Sequence, residues 1–278
     1  MKIAITAEST IDLPKELLDK FDIKTVPFHV LLGEDEYRDG EIAPSKIYDY
    51  VKTSKVLPKT SAVNEGAYQE FFDDVLKDND AIIHFSLSSE LSSACQNAKN
   101  VASRMSKVYV VDTKTLSTGI ALLAIYARDL INQGYDVVSV FNKVLSAVPN
   151  VQVSFVLDRL DYMYKGGRCS ALKLFGANLL RLKPQIDLNN GKMVAGKKYM
   201  GKIDSVAVSY VKNVLKNNPN PILDNVFITH SGMTNEVLIN KIREMLLERG
   251  FKNVYVTTAG CTICSHCGDN CIGVLFRN

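Results

Sequence analysis

Short apolar runs alternating with amphipathic stretches fill the first 150 residues, and this alternation constrains the chain more than any other feature of it. Lys2–Ala7 (KIAITA), Ala81–Leu87 (AIIHFSL) and Val108–Asp112 (VYVVD) have the length of strands. The middle run is almost continuously apolar, as expected of a strand covered on both faces. Around them lie residues at helical spacing: Tyr68, Phe72, Val75 and Leu76, then the stretches Ser92–Met105, Gly119–Ile131 and Val138–Val148. Asp12 and Pro14 read as the cap and first-turn pair of a further helix through Leu17 and Leu18. Strands alternating with helices predict a parallel sheet with helices on both faces. Polar residues at the carboxyl ends of its strands then border the usual ligand crevice.

Beyond Asn150 the pattern changes. Gln185–Ala195 (QIDLNNGKMVA) places the turn Asn189-Asn190-Gly191 between two strand-like runs, which predicts a hairpin. Val226–Ser231 reads as a strand leading to a helix capped near Thr234. That helix carries Leu238, Ile242, Met245 and Leu246 on one face and stops at Gly250. Val254–Gly260 and Cys271–Asn278 follow as strands. The expectation is an α/β chain of two domains. Residues 1–150 form the parallel α/β domain, and residues 151–278 form an α+β domain with a mixed or antiparallel sheet.

Composition excludes several functions. A net charge of +3 is too small for a nucleic-acid surface, and no Lys/Arg cluster is interleaved with aromatics. No run approaches the ~18 apolar residues that span a bilayer, so stable membrane insertion is not expected. The opening MKIAITAEST turns polar without a long apolar segment, so no secretory signal is read and a cytoplasmic location is expected.

Hydroxyl groups cluster after the predicted strands: Ser9 and Thr10; Ser86, Ser88, Ser89, Ser92 and Ser93; Thr113, Thr115, Ser117 and Thr118. Lys59-Thr60-Ser61 precedes the helix of Tyr68. Each cluster alone reads as helix capping. Together they would converge on one sheet edge and suit an anion. Lys165-Gly166-Gly167-Arg168-Cys169-Ser170 places an arginine after two glycines, able to engage a carboxylate, although the phosphate-loop spacing is absent. His29 and His84 lie in apolar runs and read as core or edge residues.

These segments, in order, resemble the DegV family of bacterial fatty-acid-binding proteins. The resemblance rests on AESTIDLP, KTSAV, SLSSELSSACQNA, VVDTKTLSTG, LDRLDYMYKGGRCSALK, THSG and a His–Gly turn before the last strand. It implies one long-chain fatty acid between the domains. Its carboxylate would be held at Thr60 and Ser92, in the clusters that also hold Ser61 and Ser93, with Arg168 and His266 nearby. It further implies a carrier without catalysis or cofactor, which presents the acid to a separate fatty acid kinase feeding phospholipid synthesis. The stretch Leu172–Leu182 is expected to supply part of an apolar lining.

The chain departs from that family pattern in two places. Ser93-Ala94-Cys95 replaces the usual Gly-Thr-Tyr, and His266-Cys267-Gly268-Asp269-Asn270 replaces His-x-Gly-Pro-Gly. The C-terminal cysteines Cys261, Cys264, Cys267 and Cys271 have the spacing of an iron–sulfur ligand run, and with His266 and His230 zinc is conceivable. Against a common ligand set, the family register places Cys261–Cys264 on a strand. A redox or metal-binding protein is the alternative function. A phosphotransferase lacks support in any Walker motif or metal-binding carboxylate set. A regulatory module that senses a small carboxylate also fits the sequence.

Overall fold

The computed structural model describes residues 1–168, 182–233 and 235–278. Cys169, Ser170, Thr234 and the predicted lining stretch up to residue 181 lie outside the described residues. The first sheet is wholly parallel, in the order β2 (Ile23–Val26), β1 (Ile3–Glu8), β6 (Ala81–Ser86) and β7 (Val108–Asp112). Every residue of β1 and β6 is buried, so both faces are covered. Helices α3 (Glu65–Leu76) and α4 (Ala94–Ala102) pair on one face, and α5 (Thr118–Asn132) and α6 (Val137–Ala147) pair on the other. The short α1 (Lys15–Lys20) links β1 to β2.

The second sheet is mixed. Its order is β10 (Lys192–Met200), β9 (Leu182–Asn189), β8 (Val151–Val156), β13 (Cys271–Arg277), β11 (Asn225–Ser231) and β12 (Asn253–Thr258). Only the β11–β12 pair is parallel among these neighbours. The expected turn Asn190-Gly191 joins β9 to β10, both residues having positive φ. Helices α8 (Ile203–Asn217) and α9 (Glu236–Arg249) bury their apolar faces on this sheet in a core of their own. Asn235 caps α9, its side chain accepting from Leu238 N, and Gly250 ends it in the left-handed conformation.

Helix α5 joins the two sheets. Its residues Thr118–Ile125 are all buried, which follows from a sequence that is apolar all round. It touches β1 and β6 on one side and β8, β11 and β13 on the other. Gly119 permits the approach: a Cβ there would lie 2.8 Å from Val153 Cγ2.

Three observations depart from the sequence reading. A small antiparallel sheet, β4 (Asp35–Arg38), β3 (His29–Leu32) and β5 (Lys59–Ser61), packs with α2 (Pro44–Ser54) against the C-terminal half of the chain. Its strands are too short to show period-two alternation. Asp12 does not cap α1. It ends a single 3-10 turn in the left-handed conformation (φ 55°), and Pro14 occupies the cap position. Finally, Cys261–Cys264 lies not on a strand but in a helix, α10 (Cys261–Cys267). Remote carboxylates take up its leading amides: Asp12 accepts from Gly260 N, and Asp39 accepts from Cys261 N and Thr262 N. Among the described residues no helix is long and apolar enough to cross a membrane.

Candidate functional site

The loops at the carboxyl ends of the parallel strands face the third sheet and α10, and between them lies a cavity of about 300 Å³. Thr60, Ser61, Ser92, Ser93, Arg168 and His266 all line it. They come from separate parts of the chain. Thr60 and Ser61 stand on β5, Ser92 and Ser93 in the loop from β6 to α4, Arg168 just past α7 (Asp161–Gly166), and His266 on α10. Strand alternation turns Thr60 inward, while Lys59 and Ser61 on either side of it are exposed.

His266 Nε2 lies 2.8 Å from Thr60 Oγ1. Its other ring nitrogen, Nδ1, is buried without a hydrogen-bond partner. Burial, with the Arg168 guanidinium nearby, lowers the imidazole pKa to about 4, so the ring is neutral near pH 7. Gly166 makes room for it: a Cβ there would approach Nδ1 to 3.1 Å. Ser92 Oγ accepts from Ala94 N, which leaves its hydroxyl proton available to an acceptor in the cavity. Arg168 donates to Gly166 O from an exposed position at the rim.

Apolar side chains close the rest of the chamber, among them Phe28, Leu87, Leu91, Leu116 and Met193. Leu116, Ile263 and Cys267 also wall a second, smaller cavity of about 30 Å³ that reaches Phe155 and Leu275. The site therefore combines hydroxyls, imidazole and guanidinium with an apolar wall, part of which it shares with the second cavity. Thr262 and Ile263 were missed as lining residues because the cysteine run obscured them. Reading the segment as a helix would have found them, since Thr262 with His266 and Ile263 with Cys267 are each one turn apart.

The four C-terminal cysteines do not form a ligand set. Among the described residues no group of three or more His, Cys, Asp or Glu side chains is placed to hold a metal ion. Cys261 packs into the core of the third sheet and its thiol donates to Ile42 O, while Cys264 donates to Ala259 O. Cys267 and Cys271 belong to the main core. Burial pushes the Cys261 thiol up to about 12 and raises that of Cys264; a hydrogen bond with Cys271, together with burial, raises that of Cys267. Such thiols are protonated and unreactive near neutral pH. Cys261 and Cys264 thus turn to different backbone carbonyls, whereas Cys267 at the end of α10 meets Cys271 at the start of β13.

Comparisons with known proteins agree with this geometry. A DegV domain-containing protein of Caldanaerobacter subterraneus is 27% identical over 281 residues, covering 99% of each chain. A fatty acid-binding protein of Thermotoga maritima is 28% identical over 208 residues, 72% of each chain. A solved structure described as fatty acid binding of a DegV family protein from Thermus thermophilus superposes with a TM-score of 0.91 at 24% identity, over 100% of both chains. The family model described as uncharacterised protein, DegV family, matches residues 2–278, and the chain belongs to that family.

Proposed function

We propose that this chain is a carrier that binds a long-chain fatty acid in the cavity between the two sheets and presents its carboxylate to a separate fatty acid kinase. The observation that carries the reading is the convergence of Thr60, Ser92, His266 and Arg168 on one cavity that is otherwise walled largely by apolar side chains. Thr60 and Ser92 donate hydroxyl protons to the carboxylate. With its proton on Nε2, His266 donates to Thr60 Oγ1 and frees the threonine proton for the acid. Arg168 at the rim supplies positive charge. Ser61 and Ser93 border the same head-group end.

The energetics favour this assignment. Each buried methylene contributes ~0.8 kcal/mol, so the acyl tail accounts for most of the affinity. A carboxylate is costly to bury unless hydrogen-bonded, and neutral hydroxyls satisfy it without a tight ion pair. That leaves its oxygen free to attack a phosphoryl donor held by the kinase. Within this reading the chain itself does no catalysis and needs no cofactor. The acid lies between the units 1–150 and 151–278, whose division we place where β8 begins.

The test is direct. Protein purified from bacterial cells should release fatty acid on solvent extraction, read by mass spectrometry, and Thr60→Ala combined with Ser92→Ala should remove it. Unchanged lipid content in the double variant would sink the head-group assignment.

A further inference from the structure

Asp12 and Asp39 lie outside the cavity, yet each is bonded to a segment that forms its wall. Asp12 is 4% exposed and Asp39 is 9% exposed. Asp12 Oδ1 accepts from Gly260 N at 2.8 Å, and its Oδ2 accepts from Ser117 Oγ at 2.5 Å. Asp39 Oδ1 accepts from Cys261 N at 2.8 Å, and Oδ2 accepts from Thr262 N at 3.3 Å and from Ser9 Oγ at 3.0 Å. Both carboxylates converge on one glycine. A Cβ on Gly260 would stand 3.1 Å from Asp12 Oδ1 and 3.2 Å from Asp39 Oδ1.

The segments gripped in this way carry the cavity. α10 contributes Thr262, Ile263, His266 and Cys267 to its lining, and Leu116 precedes Ser117. Asp12 (φ 55°) and Ser117 (φ 54°) are both non-glycine residues in the sparsely populated left-handed half of conformational space, and they are joined by a hydrogen bond. Strain of this kind persists where surrounding contacts over-determine the backbone, and it clusters at functional sites.

We propose that Asp12 and Asp39 are positioning residues for the fatty-acid site, a two-carboxylate clamp that sets the depth of α10 and joins it to the start of α5. The proposal rests on the fatty-acid reading of the cavity. The clamp is also pH-sensitive. Burial, aided by the Asp39 charge, raises the Asp12 carboxyl to about 8 despite its hydrogen bonds from Ser117 and Gly260. The other titratable groups felt across this junction are the thiols of Cys261, Cys264 and Cys267 on α10. Asp12 is therefore neutral below about pH 8. As the pH rises through that value it ionises, and as a carboxylate it accepts more strongly from Gly260 N and Ser117 Oγ, so the grip on Gly260 tightens.

The experiment compares wild type, Asp12→Asn and Asp39→Ala in the full-length protein. The readouts are fatty-acid affinity and the His266 ring resonances, recorded from about pH 6 to about pH 9.5. Asparagine is isosteric with a neutral carboxyl and tolerates the left-handed backbone, so Asp12→Asn should bind like wild type near neutrality. It should lack the tightening and the His266 shift that wild type shows above about pH 8. Asp39→Ala removes all three of its side-chain hydrogen bonds, two of them to α10, and should bind at least about tenfold more weakly at every pH. It should also move the His266 signals at temperatures where it remains folded. Lower melting temperatures with unchanged affinity and unchanged His266 signals would overturn the clamp. So would an Asp12→Asn profile that follows wild type through pH 8. Should wild type bind no fatty acid, the proposed function fails, while the His266 resonances still decide the clamp.

Discussion

Two histidine clusters in this molecule are built from similar residue types and differ in completeness. His84 lies in the middle of the parallel sheet with Thr6 Oγ1 2.9 Å from Nδ1 and Glu8 Oε1 3.2 Å from Nε2. The Glu8 carboxylate also accepts from Tyr68 OH, Ser86 Oγ and Leu87 N, so both of its oxygens are engaged. Burial drives the Glu8 carboxyl up, but the His84, Ser86 and Tyr68 hydrogen bonds outweigh it and hold the pKa below the ordinary value. His266, by contrast, bonds Thr60, whose hydroxyl proton is left for a group in the cavity, while Nδ1 packs against Gly166 with no partner among the described residues. A saturated buried network holds a fold together, whereas an unsaturated one at the edge of a void has capacity left for a ligand. The same hydroxyl and imidazole chemistry is thus saturated in one place and, in the proposed reading, open to a ligand in the other.

That contrast can be broken by mutation. The largest effect belongs to the saturated cluster. Glu8→Ala leaves His84, Ser86, Tyr68 and Leu87 N without their common acceptor and should cost ~3–5 kcal/mol in urea unfolding. A cost under ~1 kcal/mol would show the network to be dispensable. Next, Thr60→Ala with Ser92→Ala should weaken fatty-acid binding by about 100-fold, ~3 kcal/mol, and shift unfolding by less than ~1 kcal/mol. Calorimetric titration and a thermal melt on one preparation separate the two quantities. If stability falls as far as affinity does, the clusters are not distinct in role.

A third, smaller effect is a pH slope. The folded pKa of His266 is depressed to about 4 from 6.5, so the unfolded chain takes up a proton before the folded chain does. Stability is therefore full above about pH 6.5 and declines as the pH falls from there to about 4, by at most ~3 kcal/mol. His266→Gln should flatten that part of the stability profile, and an unchanged slope would show that another group produces it. The smallest effect concerns the tail. Ile263→Ala removes apolar contact from the wall shared by the two cavities and should reduce affinity by ~1–2 kcal/mol. The loss should be greater for long acyl chains than for short ones, as read by competition titration.

Legibility differed with the range of the interactions involved. The parallel sheet, the α3 face of Tyr68, Phe72 and Val75, the Asn190-Gly191 hairpin and the Gly250 stop were all readable, because neighbours within a few residues produce them. The cavity-lining residues Thr60, Ser61, Ser92, Ser93, Arg168 and His266 were also readable, since motif order preserved them. The α10 helix was not. Its seven residues include β-branched Thr262 and Ile263 and five polar or thiol neighbours, and the chain of local preferences leans away from helix there. Asp12 and Asp39, more than two hundred residues upstream, satisfy its first amides. The third sheet escaped notice for a related reason: Thr60 pairs with Val30 across a gap of about thirty residues, and neither strand declares itself alone.

By itself, the order of residues determined the periodicities, the turns and the hydroxyl clusters, and with them the class of fold and the kind of head group it suits. Tertiary structure alone decided that the C-terminal cysteines are buried in the packing of α10 and β13. It also decided that Asp12 faces away from the helix it precedes and that α5 serves two sheets at once. The physical reason is that capping, burial and unpaired hydrogen-bond capacity depend on which distant groups meet, and adjacent residues do not encode that meeting.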